Sequence, residues 1–177
     1  MKEIWFMRHA KSDWSNPDLV DFDRPLNKRG RRDASLMGEW IRENGRLPQL
    51  IVSSPAVRAK LTIKALLESI GSTDQIQWWD ELYPGDIEAT LKKIRALSSQ
   101  IDHLLIVGHN PHLEELVSFL VADGHLRLRL PTASIALLQA ILRSGSDRWD
   151  EFQSAHLMLT GIVTPKILGF KKRDSLY

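Results

Sequence analysis

Two arginines and two histidines in this chain could together handle a phosphoryl group. Arg8 and His9 follow the apolar run Ile4-Trp5-Phe6-Met7, where a short strand should stop and a loop begin. His109 has the same setting, after Leu104-Leu105-Ile106-Val107 and Gly108. Arg58 lies in the first turn of a helix that Ser53-Ser54-Pro55 is expected to open, since serine caps well and proline suits a first turn. A neutral imidazole can attack phosphorus through one nitrogen if the other is held as a donor, giving a phosphohistidine intermediate. Arginine supplies a planar fork that matches phosphate oxygens, which lysine cannot copy. A single histidine is usually a surface or satisfied core residue. Two histidines, each just past a strand, argue for a shared site instead.

The elements that must position these residues follow from periodicity. Residues 3–7 read as a buried strand, and 12–26 as an irregular segment broken by Pro17 and Pro25. Asn27 is expected to cap a helix over 28–44, with Ala34, Met37, Trp40 and Ile41 on one face and Gly45 ending it. Strands are expected at 50–52, 76–79 and 103–107. Helices are expected after Pro55, over 87–97 and from Pro111. Two late strands, 134–142 and about 149–159, would form a hairpin through Ser144-Gly145-Ser146-Asp147. Strands alternating with helices predict an α/β fold, a three-layer α/β/α with a largely parallel central sheet and a single domain over residues 1–177. Ligands bind beyond the carboxyl ends of such strands. His9, Ser53, Ser54, Glu81 and His109 all fall there.

Composition narrows the classes of function. The 177 residues are 43% hydrophobic and 26% charged, ordinary values for a globular domain. A net charge of +2 gives no support to a nucleic-acid partner. The basic runs Lys28-Arg29-Gly30-Arg31-Arg32 and Lys171-Lys172-Arg173 are read as solvated. There is no cysteine, hence no disulfide, thiolate nucleophile or cysteine-type zinc site. No apolar run approaches the roughly 20 residues of a membrane span, and no secretory leader is visible, so a cytoplasmic protein without a membrane partner is expected. No cofactor is called for, and nothing in the sequence sets an oligomeric state.

Four segments, in order from about residue 4 to 120, resemble the histidine phosphatase superfamily, and most nearly its small SixA-like phosphohistidine phosphatases. Met7-Arg8-His9-Ala10-Lys11-Ser12 is similar to the family's Arg-His-Gly signature, with alanine in place of glycine. Asp23-Arg24-Pro25-Leu26-Asn27-Lys28-Arg29-Gly30 is similar to its Arg-Pro-Leu element that closes on glycine. Ser53-Ser54-Pro55-Ala56-Val57-Arg58-Ala59 and Val107-Gly108-His109-Asn110-Pro111 resemble its second-arginine and second-histidine segments. The resemblance implies that His9 is the phosphorylated nucleophile and that Arg8, Arg58 and a cationic His109 bind the transferring group. It also implies that the element around Arg24 braces the loop. Ser12 is read either as a further hydrogen-bond donor to phosphate or as a solvated serine.

A general acid is harder to place. Glu81, with Asp80 beside it, follows the third strand and is the candidate, against the plainer reading of an exposed loop carboxylate. A phosphohistidine substrate would need such an acid less, because imidazole leaves more readily than an alkoxide. The expected substrate is therefore a phosphorylated protein carrying phosphohistidine. The alternatives are a small-molecule phosphomonoesterase, for sugar phosphates or nucleotides, and a non-catalytic phosphate-binding module. A metal hydrolase built on His109, His112 and Glu115 is disfavoured, because a helix beginning at Pro111 would turn His109 away from His112. No metal is expected. Trp14, Trp78, Trp79 and Tyr83 are read as either groove or core.

Overall fold

In a computed structural model, residues 1–71, 75–140, 148–155 and 157–174 are described. The central sheet has six strands: β1 (Glu3–Arg8), β2 (Leu50–Ser53), β3 (Ile76–Trp78), β4 (His103–Gly108), β5 (Ile135–Ala140) and β6 (Leu157–Val163). Their order across the sheet is β3-β2-β4-β1-β5-β6. The first four in that order run parallel, and β5 and β6 are antiparallel additions at one side. The sheet is thus mixed, with the expected parallel part running from the β3 edge to β1.

The helices are α1 (Lys28–Asn44), α2 (Val57–Ile70), α3 (Ile87–Arg95), α4 (His112–Ala122) and α5 (Pro165–Asp174). Alternate residues of the strands face opposite layers. Ile4, Phe6, Leu104 and Ile106 pack with Leu91 and Ile94 of α3 and Leu113, Leu116, Val117 and Leu120 of α4. Trp5, Met7, Leu105 and Val107 pack with Met37 and Ile41 of α1 and Ile63 and Leu66 of α2. Burial on both faces explains why β1 and β4 read as unbroken apolar runs. Among the described residues no helix is long and apolar enough to cross a membrane.

The local signals for α1 hold in detail. The Asn27 side chain accepts a hydrogen bond from the Gly30 amide at 2.8 Å, and Gly45 ends the helix with φ of 70°. Gly30 does more than permit a turn. A Cβ there would stand 2.2 Å from the Lys11 carbonyl oxygen, so glycine lets the loop after His9 lie directly on α1.

Two expectations are corrected. Helix α2 begins at Val57, not at Pro55; Ala56 is its cap residue and makes no side-chain cap bond, while Ser54 Oγ accepts from the Ala56 amide. Residues 149–151 form a single 3-10 turn rather than the start of a strand, and the last strand is displaced to Leu157–Val163. The reason is Trp149, which is buried and donates its indole N–H to the Ile101 carbonyl at 2.8 Å, with Phe152 packed against it. The final helix α5 carried too weak an apolar pattern to be foreseen. The proposed turn Ser144-Gly145-Ser146-Asp147 lies outside the described residues.

Candidate active site

The strand order places the carboxyl ends of β2, β4 and β1 side by side. His9 follows β1, His109 follows β4, and Arg58 sits in the first turn of α2 after β2. Residues about fifty apart in sequence therefore meet at one sheet edge. The rings of His9 and His109 are 4.8 Å apart at their centroids.

His9 is buried, and its Nδ1 lies 2.8 Å from the Ala10 carbonyl oxygen. A carbonyl only accepts, so Nδ1 carries the proton and Nε2 presents its lone pair. The backbone is tied on both sides: the His9 amide donates to Gly108 O at 3.0 Å, and the Ala10 amide donates to Thr62 Oγ1 at 3.0 Å. Thr62 in turn donates to the Arg58 carbonyl at 2.7 Å, which joins the loop after β1 to α2.

Arg58 is the hub. Its Nε donates to His9 Nε2 at 3.3 Å, Nη1 to the Asp21 carbonyl at 2.5 Å, and Nη2 to Asp21 Oδ2 at 2.8 Å and His109 Nδ1 at 3.1 Å. Because guanidinium can only donate, His109 Nδ1 accepts and its Nε2–H donates to Ser54 Oγ at 2.8 Å. His109 is therefore neutral in this arrangement, against the expectation of a cation. Burial, the neighbouring His9 and the Arg58 charge push its pKa down to about 3. Burial, then the Arg58 and Arg8 charges, push His9 down to about 4, opposed by its bond to Ala10 and by Asp21.

Arg8 leaves β1 on the other side of His9. Its Nη1 donates to the Leu130 carbonyl at 3.0 Å, which also accepts from Asn110 Nδ2 at 3.0 Å. Arg8 Nε is buried with no partner among the described residues. Ser12 is buried too, but its Oγ accepts from Trp14 Nε1 at 3.0 Å, and no described bond joins it to Arg8, His9, Arg58 or His109. Arg24 braces this loop, donating to the Asn16 carbonyl at 3.2 Å with its guanidinium 4.1 Å from the Trp14 ring centroid.

The carboxylate at the site is Asp21, which the sequence reading did not select. It stands in a 3-10 turn, Asp21–Asp23, inside the irregular segment. It pairs with Arg58 and accepts from the Tyr83 hydroxyl at 3.1 Å. Burial pushes its pKa up, but the bond and charge of Arg58 outweigh this and the net shift is downward. Tyr83 packs edge-on against His109 and against Phe22, so it is a wall of the site. Glu81 is placed elsewhere: it accepts from Lys93 Nζ at 2.6 Å, which holds its pKa below the usual carboxylate range. Periodicity could not bring Asp21 to the site, since it says nothing of how 12–26 folds back. The one usable signal was the pair of elements flanking that segment, Arg8-His9 and Arg24-Pro25.

His112 bonds Thr90 Oγ1 at 3.2 Å, away from His109. No group of three or more potential ligands among the described residues is arranged to hold a metal.

Known proteins resemble this chain along most of its length. An uncharacterised protein of Mycobacterium leprae is 33% identical over 164 residues, 86% of this chain and 96% of the relative. The phosphohistidine phosphatase SixA of Escherichia coli is 26% identical over 123 residues, 68% of this chain and 73% of the relative. A crystal structure from Agrobacterium tumefaciens, presented as a candidate phosphohistidine phosphatase SixA, superposes with a TM-score of 0.74 at 27% identity, covering 93% of this chain and 98% of the other. The model of the histidine phosphatase superfamily (branch 1) matches residues 4–103, more than half of the chain. On that match the chain belongs to the histidine phosphatase superfamily and, with the SixA structural neighbour, is a phosphatase.

Proposed function

We propose that this phosphatase removes phosphate from phosphohistidine on a protein, through a covalent intermediate on His9. His9 Nε2 attacks phosphorus, the substrate's P–N bond breaks, and the substrate imidazole departs with the proton it already carries. Water then attacks the phosphohistidine formed on His9 and releases inorganic phosphate. Arg8 and Arg58 bind the transferring group, with Arg58 exchanging its bonds to Asp21 for phosphoryl oxygens, and His109 joins them when its Nδ1 takes up a proton as the anion enters. Ser12 adds a hydroxyl to the phosphate loop through its free O–H.

The observation that carries the substrate reading is the state of the carboxylates. Asp21 is held ionised by Arg58, and Glu81 by Lys93. Neither is poised to protonate an alkoxide, so the arrangement suits a leaving group that needs no such help. The likeness to SixA proteins supports the same choice. The second reading, a small-molecule phosphomonoesterase, draws on Asp21 lying one guanidinium away from both histidines. Glu81 would act as acid only after leaving Lys93.

The test compares kcat/KM for a phosphohistidine peptide and an alkyl phosphate, in wild type and in Glu81→Gln and Asp21→Asn. Proton transfer from a positioned side chain contributes roughly 10²–10⁴-fold. We expect phosphohistidine to be preferred and little changed by Glu81→Gln. A large, equal loss on both substrates in either variant would favour the phosphomonoesterase. Brief reaction and alkaline quench should trap an acid-labile phosphate that His9→Ala cannot form; an intact adduct in that variant would remove the mechanism.

A further inference from the structure

The segment from Leu126 to Leu130 leads directly into the site, yet the reaction makes no use of its side chains. It belongs to no strand or helix. Leu126 and Leu128 are half-buried against the core, Leu130 is fully buried, and Arg127 and Arg129 between them are exposed. This alternation is that of an extended backbone with one face anchored. The arm is pinned at its end: the Leu130 amide donates to Glu114 Oε1 at 2.7 Å, and its carbonyl accepts from Arg8. One residue along, the Arg129 charge is felt by Arg8.

Two features set this arm apart from an ordinary solvated loop. Neither Arg127 nor Arg129 forms an ion pair with a described residue. The main-chain groups of Arg127, Leu128 and Arg129 make no backbone hydrogen bond to a described residue. An open backbone edge with two like charges on alternate positions therefore ends at a catalytic arginine. A second segment at the site carries the other sign. The segment that carries Asp21 to Arg58 also bears Asp13, Asp18 and Asp23.

We propose that the arm Leu126–Leu130 is a docking edge for the substrate protein, and that it takes an extended segment with acidic residues at alternate positions beside the phosphohistidine. The open edge offers main-chain pairing, as when a peptide adds to an exposed strand. Arg127 and Arg129 match carboxylates two residues apart. The aspartates of the segment around Asp21 would repel an acidic flank on their own side, so the acidic flank is the one that lies along the arm. A sugar phosphate or nucleotide has no part that reaches along such an arm.

The inference rests on the protein-substrate reading, and the experiment separates the two. Phosphohistidine peptides with acidic, neutral and basic flanks are compared by kcat/KM in wild type, Arg127→Gln/Arg129→Gln and Arg127→Glu/Arg129→Glu. Free phosphohistidine reports whether each variant retains a working site. Wild type should prefer the acidic flank by about fivefold, given two exposed charge pairs, and salt should erode the preference. The glutamine pair should bring the ratio close to one, and the glutamate pair should invert it. Equal turnover of all flanks in wild type, or an unchanged ratio in both variants, overturns the arm while leaving phosphohistidine hydrolysis intact. Failure to hydrolyse any phosphohistidine substrate, with turnover of alkyl phosphates, overturns the underlying reading and the arm together.

Discussion

Arg58 makes four hydrogen bonds within the site, and two of them go to Asp21. A phosphoryl group must therefore take over donors that a carboxylate already holds. Asp21→Asn keeps an acceptor but removes the competing charge. Inorganic phosphate or tungstate should then inhibit more tightly, by about fivefold, the order of one exposed-to-half-buried charge pair. The readout is the inhibition constant beside separate kcat and KM values on phosphohistidine. An unchanged inhibition constant would show that Asp21 does not compete for Arg58. The acid limb of kcat/KM should also lie near pH 4, because His9, as the proposed nucleophile, must be neutral to attack and its pKa is pushed there. A limb near the ordinary histidine value of about 6.5 would mean that the nucleophile is not buried in the working enzyme. At this scale the sequence was legible for groups tied to strand ends: Arg8, His9, Arg58 and His109 all converge. It was misleading for Glu81. A position after a strand fixes where a backbone starts, not which neighbour captures its side chain.

The loop after β1 is shaped by α1 as much as by its own residues. Asn27 caps the helix, its amide bonds the Lys11 carbonyl at 3.1 Å, and Gly30 admits that carbonyl to near contact. Two effects of Gly30→Ala oppose each other. Helix propensity alone would stabilise α1 by ~1 kcal/mol. The added Cβ meets backbone 2.2 Å away, and overpacking of that kind costs roughly 1–3 kcal/mol. We expect the clash to prevail, giving a lower urea midpoint and a clear loss of kcat, since the shifted carbonyl is two residues from His9. A more stable and fully active variant would show that the loop slides away freely. Elements with their own caps and periodicity, such as α1 and β4, could be read with little error. The 149–151 turn and α5 could not. Trp149 is placed by a distant carbonyl on residue 101, a contact that no local pattern encodes.

Across the molecule, burial of neutral imidazoles links folding to pH. His9 and His109 have folded pKa values of about 4 and about 3, and burial also lowers those of His103 and His112. As pH falls below about 6.5, the unfolded chain takes up protons that the folded chain refuses. Stability is therefore complete above that value and declines as pH drops toward 4 and then 3. Urea unfolding between pH 7 and 4.5 should show this slope, and His109→Gln should flatten it, whatever the variant does to the absolute level. An identical slope in the variant would mean that His109 is not buried neutral. The fold class was legible because both faces of the parallel strands are covered, which leaves long apolar runs. The antiparallel pair was harder to read, as β6 is only partly buried and its pairing with β5 shifts register between Leu137 and Leu138.

The place of β1 in the sheet has a consequence for how the protein is made. It precedes the other five strands in the chain, yet its neighbours on either side are β4 and β5. About a hundred residues must leave the ribosome before its first pairing edge is satisfied, and some thirty more before the second. Until then Ile4-Trp5-Phe6-Met7 travels as an unpaired apolar strand, the kind of segment that invites association between nascent chains. Long-range parallel pairing of this sort also closes slowly. His9 follows directly on this strand, so its surroundings are complete only after β4 has docked.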